Sequence, residues 1–167
     1  DLNLVLANKS ANYDFINRIK NFIVDEKIKE NYDYIIIDCP PTLTIYTDSA
    51  LYASDYYVIP NRIDRYSITG IDSLQSSVKS LIKSHQLSLR CLGIVYTMVP
   101  TDIGKKQSRI QSSFESRKAV NELDIFSSKT HIVNNIQVGV TGGTLPTKYQ
   151  NSREDIIAIG QELIKRI

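Results

Sequence analysis

The residues best suited to chemistry in this chain form one short run, Asn31–Thr42, which reads N-Y-D-Y-I-I-I-D-C-P-P-T. Its apolar, β-branched part, Tyr34–Ile37, ends at Asp38, and Pro40 and Pro41 follow. Such a run is typical of a strand buried on both faces of a parallel sheet, and the prolines prevent a helix or further strand pairing. We therefore expect the Asp38 carboxylate at the carboxyl end of a central strand, where open α/β sheets bind ligands.

A carboxylate in that position can hold Mg²⁺, directly or through water, beneath the phosphates of a bound nucleotide. The alternative is an aspartate that ends a strand and only caps a turn. The two prolines after Asp38, and the sequence that follows them, favour the metal-binding interpretation.

The composition fits one soluble globular domain. The chain has 167 residues, of which 42% are hydrophobic and 23% charged, enough for a core of its own. We find no signal peptide and no run of about eighteen apolar residues, so we expect a cytoplasmic protein without a membrane span. The net charge of +2 neither indicates nor excludes a nucleic-acid partner. Cys39 and Cys91 lie in apolar contexts without metal-ligand spacing, which favours two buried thiols.

The elements that would position Asp38 alternate between strand and helix. The predicted strands are Asp1–Ala7, Tyr34–Asp38, Asp55–Pro60, Leu89–Met98 and Ser127–Val133. The predicted helices are Asn12–Glu30, Thr47–Ala53, Ser67–Gln86, Ile103–Leu123 and a last one from Ser152, with Asp155 completing a capping box. A glycine-rich loop, Gly139–Gln150, precedes the last helix. This alternation predicts an α/β fold, a doubly wound and mostly parallel sheet with helices on both faces, as a single domain over residues 1–167.

Three segments together resemble the ParA/Soj/MinD family of deviant-Walker P-loop ATPases. They are Y-D-Y-I-I-I-D-C-P-P-T-L, D-S-A-L-Y-A-S-D-Y-Y-V-I-P and L-G-I-V-Y-T-M, in that order. The T-M pair after the fourth strand is closer to the ParA branch, which partitions plasmids and chromosomes, than to MinD. The resemblance covers the whole chain and is weakest between Thr101 and Gln150.

The resemblance implies roles for particular residues. Asp38 would lie below the γ-phosphate of ATP and position Mg²⁺ and water. The switch segment that senses this phosphate would be Pro40, Pro41 and Thr42. The residues that would approach the adenine are Thr97, Met98, Val133, Asn134 and Asn135. At the last of these strand ends the sequence reads Ile132-Val133-Asn134, where the family usually has an Ile-Pro-Arg-like element.

The phosphate-binding loop of that family has no match in this sequence. Such a loop ends in Gly-Lys-Ser/Thr, and its backbone N–H groups hold the phosphates. Here Gly104-Lys105 is followed by Lys106, and Gly142-Gly143-Thr144 carries no lysine in the required place. We therefore predict that this chain alone does not hydrolyse ATP. The chain starts at Asp1, already with a strand pattern, and we interpret it as the C-terminal portion of a larger nucleotide-binding ATPase domain.

Basic residues gather on or beside the predicted helix after the fourth strand. They are Lys105, Lys106, Arg109, Arg117 and Lys118. The resemblance implies a surface that binds DNA without sequence preference, through its phosphates. A solvated helix face is the alternative, and the nearby Glu115 and Glu122 favour it. The terminal helix could likewise lie on a membrane surface, but its apolar residues favour a core helix.

Three interpretations of function follow. The first is a ParA-like partition ATPase that forms a homodimer with ATP and Mg²⁺, binds DNA on the nucleoid and responds to a centromere-binding partner protein. The second is a non-catalytic, truncated homologue that dimerises with or regulates a full-length ATPase. The third is a receiver-like signalling domain, which we disfavour because Leu2–Asn8 supplies no further acids.

Overall fold

The computed structural model describes residues 9–40, 42–133 and 145–167, including the side chains of all of these except 9–14 and 65–69. The helices are α1 (Lys9–Asp25), α2 (Ile28–Asn31), α3 (Ile45–Ala53), α4 (Arg65–His85), α5 (Lys105–Glu115), α6 (Lys118–Asn121) and α7 (Gln150–Arg166). The strands are β1 (Tyr56–Arg62) and β2 (Arg90–Thr97), and a 3₁₀ turn covers Pro146–Lys148. The predicted strand at 1–7 and residues 139–144 of the predicted loop lie outside the described residues.

The strands β1 and β2 are neighbours in one sheet and are joined by the long helix α4. They run parallel, since the Arg90 N–H donates to the Asp55 carbonyl near their starts and the Thr97 hydroxyl reaches the Asn61 carbonyl near their ends. Aromatic and β-branched residues dominate β1, and apolar residues recur at helical spacing along α4. The α/β class predicted from the sequence is confirmed.

Contacts between residues divide the chain into two units. The first contains the residues up to Tyr57 together with Ser76–Arg90, and the second contains Val58–Gln75 together with Cys91–Ile167. In the first unit α1 packs against α3, and the Ser49 hydroxyl donates to the Ile16 carbonyl at 3.0 Å. Its buried residues include Ile23, Ala50 and Val78.

The second unit is built around β2 and the terminal helix. Its core joins Leu92, Val95 and Phe126 to partly buried hydrophobic residues, which are Val58, Ile159 and Leu163. The helix α7 therefore covers the sheet through one face, as a core helix does. The predicted capping box is wrong, because α7 begins at Gln150 and Asp155 bonds to His131 instead.

The free edge of β2 is joined by the chain at 124–132. Parallel bridges link Ile94 to Ile125 and Val99 to His131. Between them the Ser127 and Ser128 N–H groups donate to the Glu162 carboxylate on α7. The predicted strand at 127–133 is therefore reduced to isolated bridges, since α7 takes hydrogen bonds that a neighbouring strand would need.

Two predicted long helices are interrupted. The first breaks after α1 because Lys27 has a left-handed backbone, with φ of 50°. The second breaks between α5 and α6, where Arg117 has an extended backbone and its guanidinium pairs with Asp72 on α4.

The predicted buried strand at 34–38 is not formed. Residues 34–40 have neither helix nor strand structure, and Ile36 is 94% exposed. A buried parallel strand needs a neighbour on each side, whereas the sheet found among the described residues consists of β1 and β2. Cys39 is exposed as well, so the prediction of a buried thiol there is wrong. No helix among the described residues is both long and apolar enough to cross a membrane.

Candidate functional site

Asp38 lies in the irregular segment between α2 and α3, in the first unit, and its side chain is exposed. The pKa of the neighbouring Cys39 thiol is raised, first by desolvation from nearby protein atoms and then by the Asp38 carboxylate. The thiol is therefore held in its protonated form, which is a poor nucleophile. Of the two switch prolines Pro40 is exposed, and Pro41 lies outside the described residues.

Thr42 is fixed to the start of α3. The hydroxyl of the buried Thr47 donates to the Thr42 carbonyl at 2.6 Å, so the end of the predicted switch segment is tied to a helix. Sequence reasoning did not single out Thr47, although a hydroxyl in the first turn of a helix is well placed to bond to the chain just before it.

The described residues fit bound Mg²⁺ and ATP only in part. A carboxylate oxygen is a ligand that Mg²⁺ accepts, and the exposed Asp38 can hold the ion through water. Asp38 would have to act without a cluster of protein ligands, because the described residues contain no group of three or more His, Cys, Asp or Glu side chains that could hold a metal ion. The printed sequence contains no Gly-Lys-Ser/Thr loop for the phosphates.

The residues expected near the adenine lie in the second unit, where β2 ends. Met98 has a left-handed backbone with φ of 54°, and its N–H donates to the Thr130 hydroxyl at 3.0 Å. The Val99 N–H donates to the Thr130 carbonyl at 2.9 Å. Thr97 and Met98 thus lie beside the segment that leads through His131 to Val133. Asn134 and Asn135 are outside the described residues.

The segment that carries Thr130 and His131 is bonded to α7. The His131 N–H donates to Asp155 Oδ2 at 2.8 Å, and the His131 Nδ1 lies 3.1 Å from both carboxylate oxygens. Sequence reasoning missed Thr130, His131 and Asp155 as parts of this site. The imidazole within the predicted strand at 127–133 was the available signal in the sequence.

The candidate DNA-binding residues are not equivalent. Lys105, Lys106 and Arg109 are exposed on α5, and Lys118 is exposed on α6. Arg117 differs, because its guanidinium pairs with Asp72. No acidic residue stands in the first turn of α5, where the helix dipole disfavours cations.

Glu115, at the other end of α5, is hydrogen-bonded to residues other than those lysines. Its carboxylate accepts hydrogen bonds from the Tyr96 hydroxyl at 2.9 Å and from the Gln111 amide at 2.8 Å. The burial of the Tyr96 phenol, followed by its bond to Glu115, raises the Tyr96 pKa. This arrangement anchors α5 to β2.

Comparison with known sequences finds relatives among bacterial partition proteins. Residues 2–91 match the family AAA_31, an AAA domain. The sporulation initiation inhibitor protein Soj of Bacillus subtilis (strain 168) is 43% identical over 74 residues, which are 44% of this chain and 29% of Soj. The chromosome partitioning protein ParA of Myxococcus xanthus is 39% identical over 67 residues, 40% of this chain and 24% of that protein. The matched part thus spans less than a third of either relative.

Comparison with solved structures finds McdA of Cyanothece. Apo McdA superposes with a TM-score of 0.72 at 18% identity, over 89% of this chain and 59% of McdA. An ATP complex of a McdA variant gives a TM-score of 0.68 at 18% identity, over 87% of this chain and 58% of that one. At this identity the similarity establishes that the chain shares the fold of McdA.

Proposed function

Because the chain belongs to the AAA_31 family of AAA domains and to the ParA/Soj/MinD group of P-loop ATPases, we propose that it is part of a ParA-type partition ATPase. The observation that carries the proposal is the family match over residues 2–91, which includes Asp38 and the switch segment at 40–42. The intact protein then uses ATP and Mg²⁺ to form a homodimer, binds DNA without sequence preference and responds to a centromere-binding partner.

Asp38 supplies the carboxylate of this site. Its exposed side chain would hold Mg²⁺, and the bond between Thr47 and the Thr42 carbonyl couples the end of the switch segment to α3. ATP, when bound with Mg²⁺, supplies the phosphoanhydride bond that is hydrolysed.

The test of Asp38 is an Asp38→Ala substitution in the intact protein. We expect ATP turnover to fall by about a hundredfold or more, as for loss of a group that positions the ion which stabilises transition-state charge, while nucleotide still binds. Turnover is measured by phosphate release and binding by equilibrium dialysis. Asp33→Ala, which removes another exposed carboxylate from the same segment, is the control and should turn over normally. Normal turnover in Asp38→Ala would rule out this role for Asp38.

The DNA-binding surface of the proposal is the exposed face formed by Lys105, Lys106 and Arg109. Arg117 is left out because Asp72 already pairs with it. Lysines at the start of α5 oppose the helix dipole, and an anionic partner such as DNA phosphate would offset this cost.

We expect replacement of these three residues with Glu to abolish DNA retention by the intact, ATP-bound protein at low salt, because retention depends on phosphate contacts. The matched control makes the same change of net charge at Lys83, Lys148 and Lys165, all exposed and none of them on α5. Retention is measured by co-sedimentation with non-specific DNA over a series of salt concentrations. Equal losses in both triple variants would mean that total charge, rather than this surface, holds the DNA.

A non-catalytic regulator of a full-length ATPase is the second candidate. It differs from the first in needing no Gly-Lys-Ser/Thr loop of its own, and the 167 residues contain none. The codons upstream of Asp1 decide between the two, since a strand followed by such a loop there would complete the ATPase. A stop codon at that place would make the regulator the better proposal.

A further inference from the structure

Met98 has an unusual backbone for its place in the chain. The non-glycine residues with positive φ among the described parts of the structure are Lys27, Gln86 and Met98. Lys27 and Gln86 follow the ends of α1 and α4, where left-handed residues are common. Met98 instead follows the strand β2, so no helix end accounts for its φ of 54°. A conformation of this kind persists only when the surrounding structure imposes it, and such residues concentrate at functional sites.

Thr130 holds the Met98 conformation through both its hydroxyl and its backbone carbonyl. Its hydroxyl accepts the Met98 N–H at 3.0 Å, and its carbonyl accepts the Val99 N–H at 2.9 Å. The Thr130 N–H in turn donates to the Tyr96 carbonyl at 3.0 Å. Thr130 thus bonds to Tyr96, Met98 and Val99, where the chain turns at the end of β2. The bond to Met98 is the one that the Thr130 side chain makes.

The two residues that follow Thr130 are also held by hydrogen bonds. The next residue, His131, is bonded to Asp155 of α7 through both its backbone and its ring. The Ile132 N–H donates to the carbonyl of Val99, which is almost completely buried. Met98 itself remains 36% exposed and can be reached by a ligand. The turn is therefore strained, accessible and held by fixed neighbours, and it lies at the carboxyl end of a parallel strand. These are the properties expected of a position that contacts a ligand.

We propose that Thr130 is a positioning residue for the nucleotide base. Its hydroxyl keeps Met98 in the left-handed conformation, and in that conformation the turn at Thr97 and Met98 contacts the base. Thr130 acts through this turn and does not touch the phosphates. This inference rests on the proposed function, because it assumes that a nucleotide binds at this strand end.

The test compares Thr130→Val, which keeps the shape but removes the hydroxyl, with Thr130→Ser, which keeps the hydroxyl. The intact protein is titrated with ATP and, separately, with inorganic tripolyphosphate, which has no base. We expect Thr130→Val to weaken ATP binding about fivefold, the effect of one lost hydrogen bond, and to leave tripolyphosphate binding unchanged. Thr130→Ser should bind both ligands as the wild type does.

A second pair of variants isolates the conformation of residue 98. Glycine adopts a left-handed backbone without strain, so Thr130→Val should have a smaller effect on ATP binding when it is combined with Met98→Gly. If Thr130→Val does not fold, Thr130→Cys, with its weak acceptor, replaces it in the same titrations.

Each outcome decides the inference. Unchanged ATP binding in Thr130→Val, or an equal loss for ATP and tripolyphosphate, would overturn the positioning role while the proposed function stands. If the wild-type intact protein binds neither ligand, the proposed function and this inference fall together.

Discussion

At the scale of single residues, Gly93 shows how closely two chain segments can approach. Its φ of 131° is one that L side chains rarely adopt. A Cβ placed there would lie 2.6 Å from the Asp124 carbonyl oxygen and 3.1 Å from Arg166 Nη1. The absence of a side chain thus lets the Ile94 N–H reach the Asp124 carbonyl at 2.8 Å, which joins the segment at 124–132 to β2.

We expect Gly93→Ala to lower the free energy of unfolding by roughly 2–4 kcal/mol, because the new Cβ meets backbone atoms that cannot move aside cheaply. The matched control is Gly160→Ala in α7, where a Cβ meets no atom within 4 Å. That substitution should raise the unfolding free energy by about 0.5–1 kcal/mol, the helix preference of Ala over Gly. Urea unfolding followed by circular dichroism measures both, and equal stability of Gly93→Ala and wild type would contradict the strain argument.

The residues of the candidate site differ in how far the sequence reveals them. Asp38 and its prolines can be identified because their neighbours along the chain carry the pattern. Thr130 acts on Met98, 32 positions away, and His131 on Asp155, 24 positions away. Pairings over such distances are set by the packing of β2 and α7, which no local pattern contains.

At the scale of elements, Glu162 attaches α7 to the chain that follows the Ile125 bridge. Its carboxylate accepts bonds from the Ser127 N–H at 3.0 Å, the Ser127 hydroxyl at 2.9 Å and the Ser128 N–H at 2.8 Å. Arg166 donates to it at 2.8 Å. Desolvation alone would raise the pKa of Glu162, but these bonds outweigh it and lower the pKa to about 2.

Arg166 extends this attachment to the sheet. Its guanidinium donates to the Leu92 carbonyl at 2.8 Å and to the Ile125 carbonyl at 3.1 Å. It also lies 4.1 Å from the centre of the Phe126 ring, close enough for a cation–π contact. The last turn of α7 is thereby fixed to both segments that it covers.

We expect Glu162→Gln to lower the unfolding free energy at pH 7 by about 2 kcal/mol, since the amide loses the charge and one acceptor. The folded-state pKa is depressed, so this stabilisation is complete above the ordinary value of 4.5 and is lost as pH falls towards about 2. The difference between wild type and variant should therefore shrink below pH 4.5.

Urea unfolding at several pH values measures this difference. Glu154→Gln, which alters an exposed carboxylate that accepts a hydrogen bond from Gln150, should change stability by less than about 0.5 kcal/mol. A Glu162→Gln difference that stays constant with pH would show that the charge has no part in the attachment.

The sequence predicts the helices and strands best where the pattern is locally complete. The elements α3, β1, α4 and β2 lie close to their predicted positions. The breaks at Lys27 and Arg117 were not predicted, because apolar spacing continues across both. The prediction of a strand at 34–38 is wrong for a different reason. A strand forms only where a neighbouring strand pairs with it, and its own residues do not decide this.

At the scale of the whole molecule, the apolar segment at 34–37 is a surface that can associate. Ile36 is almost fully exposed, and Tyr34 is 57% exposed. Short segments of high β propensity and low charge pair readily with one another when they are exposed. The family relation explains the composition, since a buried central strand of a nucleotide-binding sheet would be just as apolar.

We expect this chain to self-associate through the segment at 34–37, and we expect Ile36→Lys to reduce that association. The thermal midpoint should not fall, because the side chain that is replaced is almost wholly in water. Sedimentation velocity over a range of concentrations and a thermal melt measure the two quantities. Ile157→Lys, on the exposed face of α7, is the control and should leave the association unchanged. Association lost equally in both variants would mean that general hydrophobicity, and not this segment, drives it.

The strained turn after β2 also makes a spectroscopic reporter. Met98 is the only methionine in the printed sequence, and it occupies that turn. Labelling the chain with ¹³C at the methionine methyl group would therefore give one NMR resonance, assigned without further work, from the turn where we propose that the base binds. Its chemical shift and line width would report whether the left-handed conformation is occupied throughout or exchanges with another, before and after a nucleotide is added.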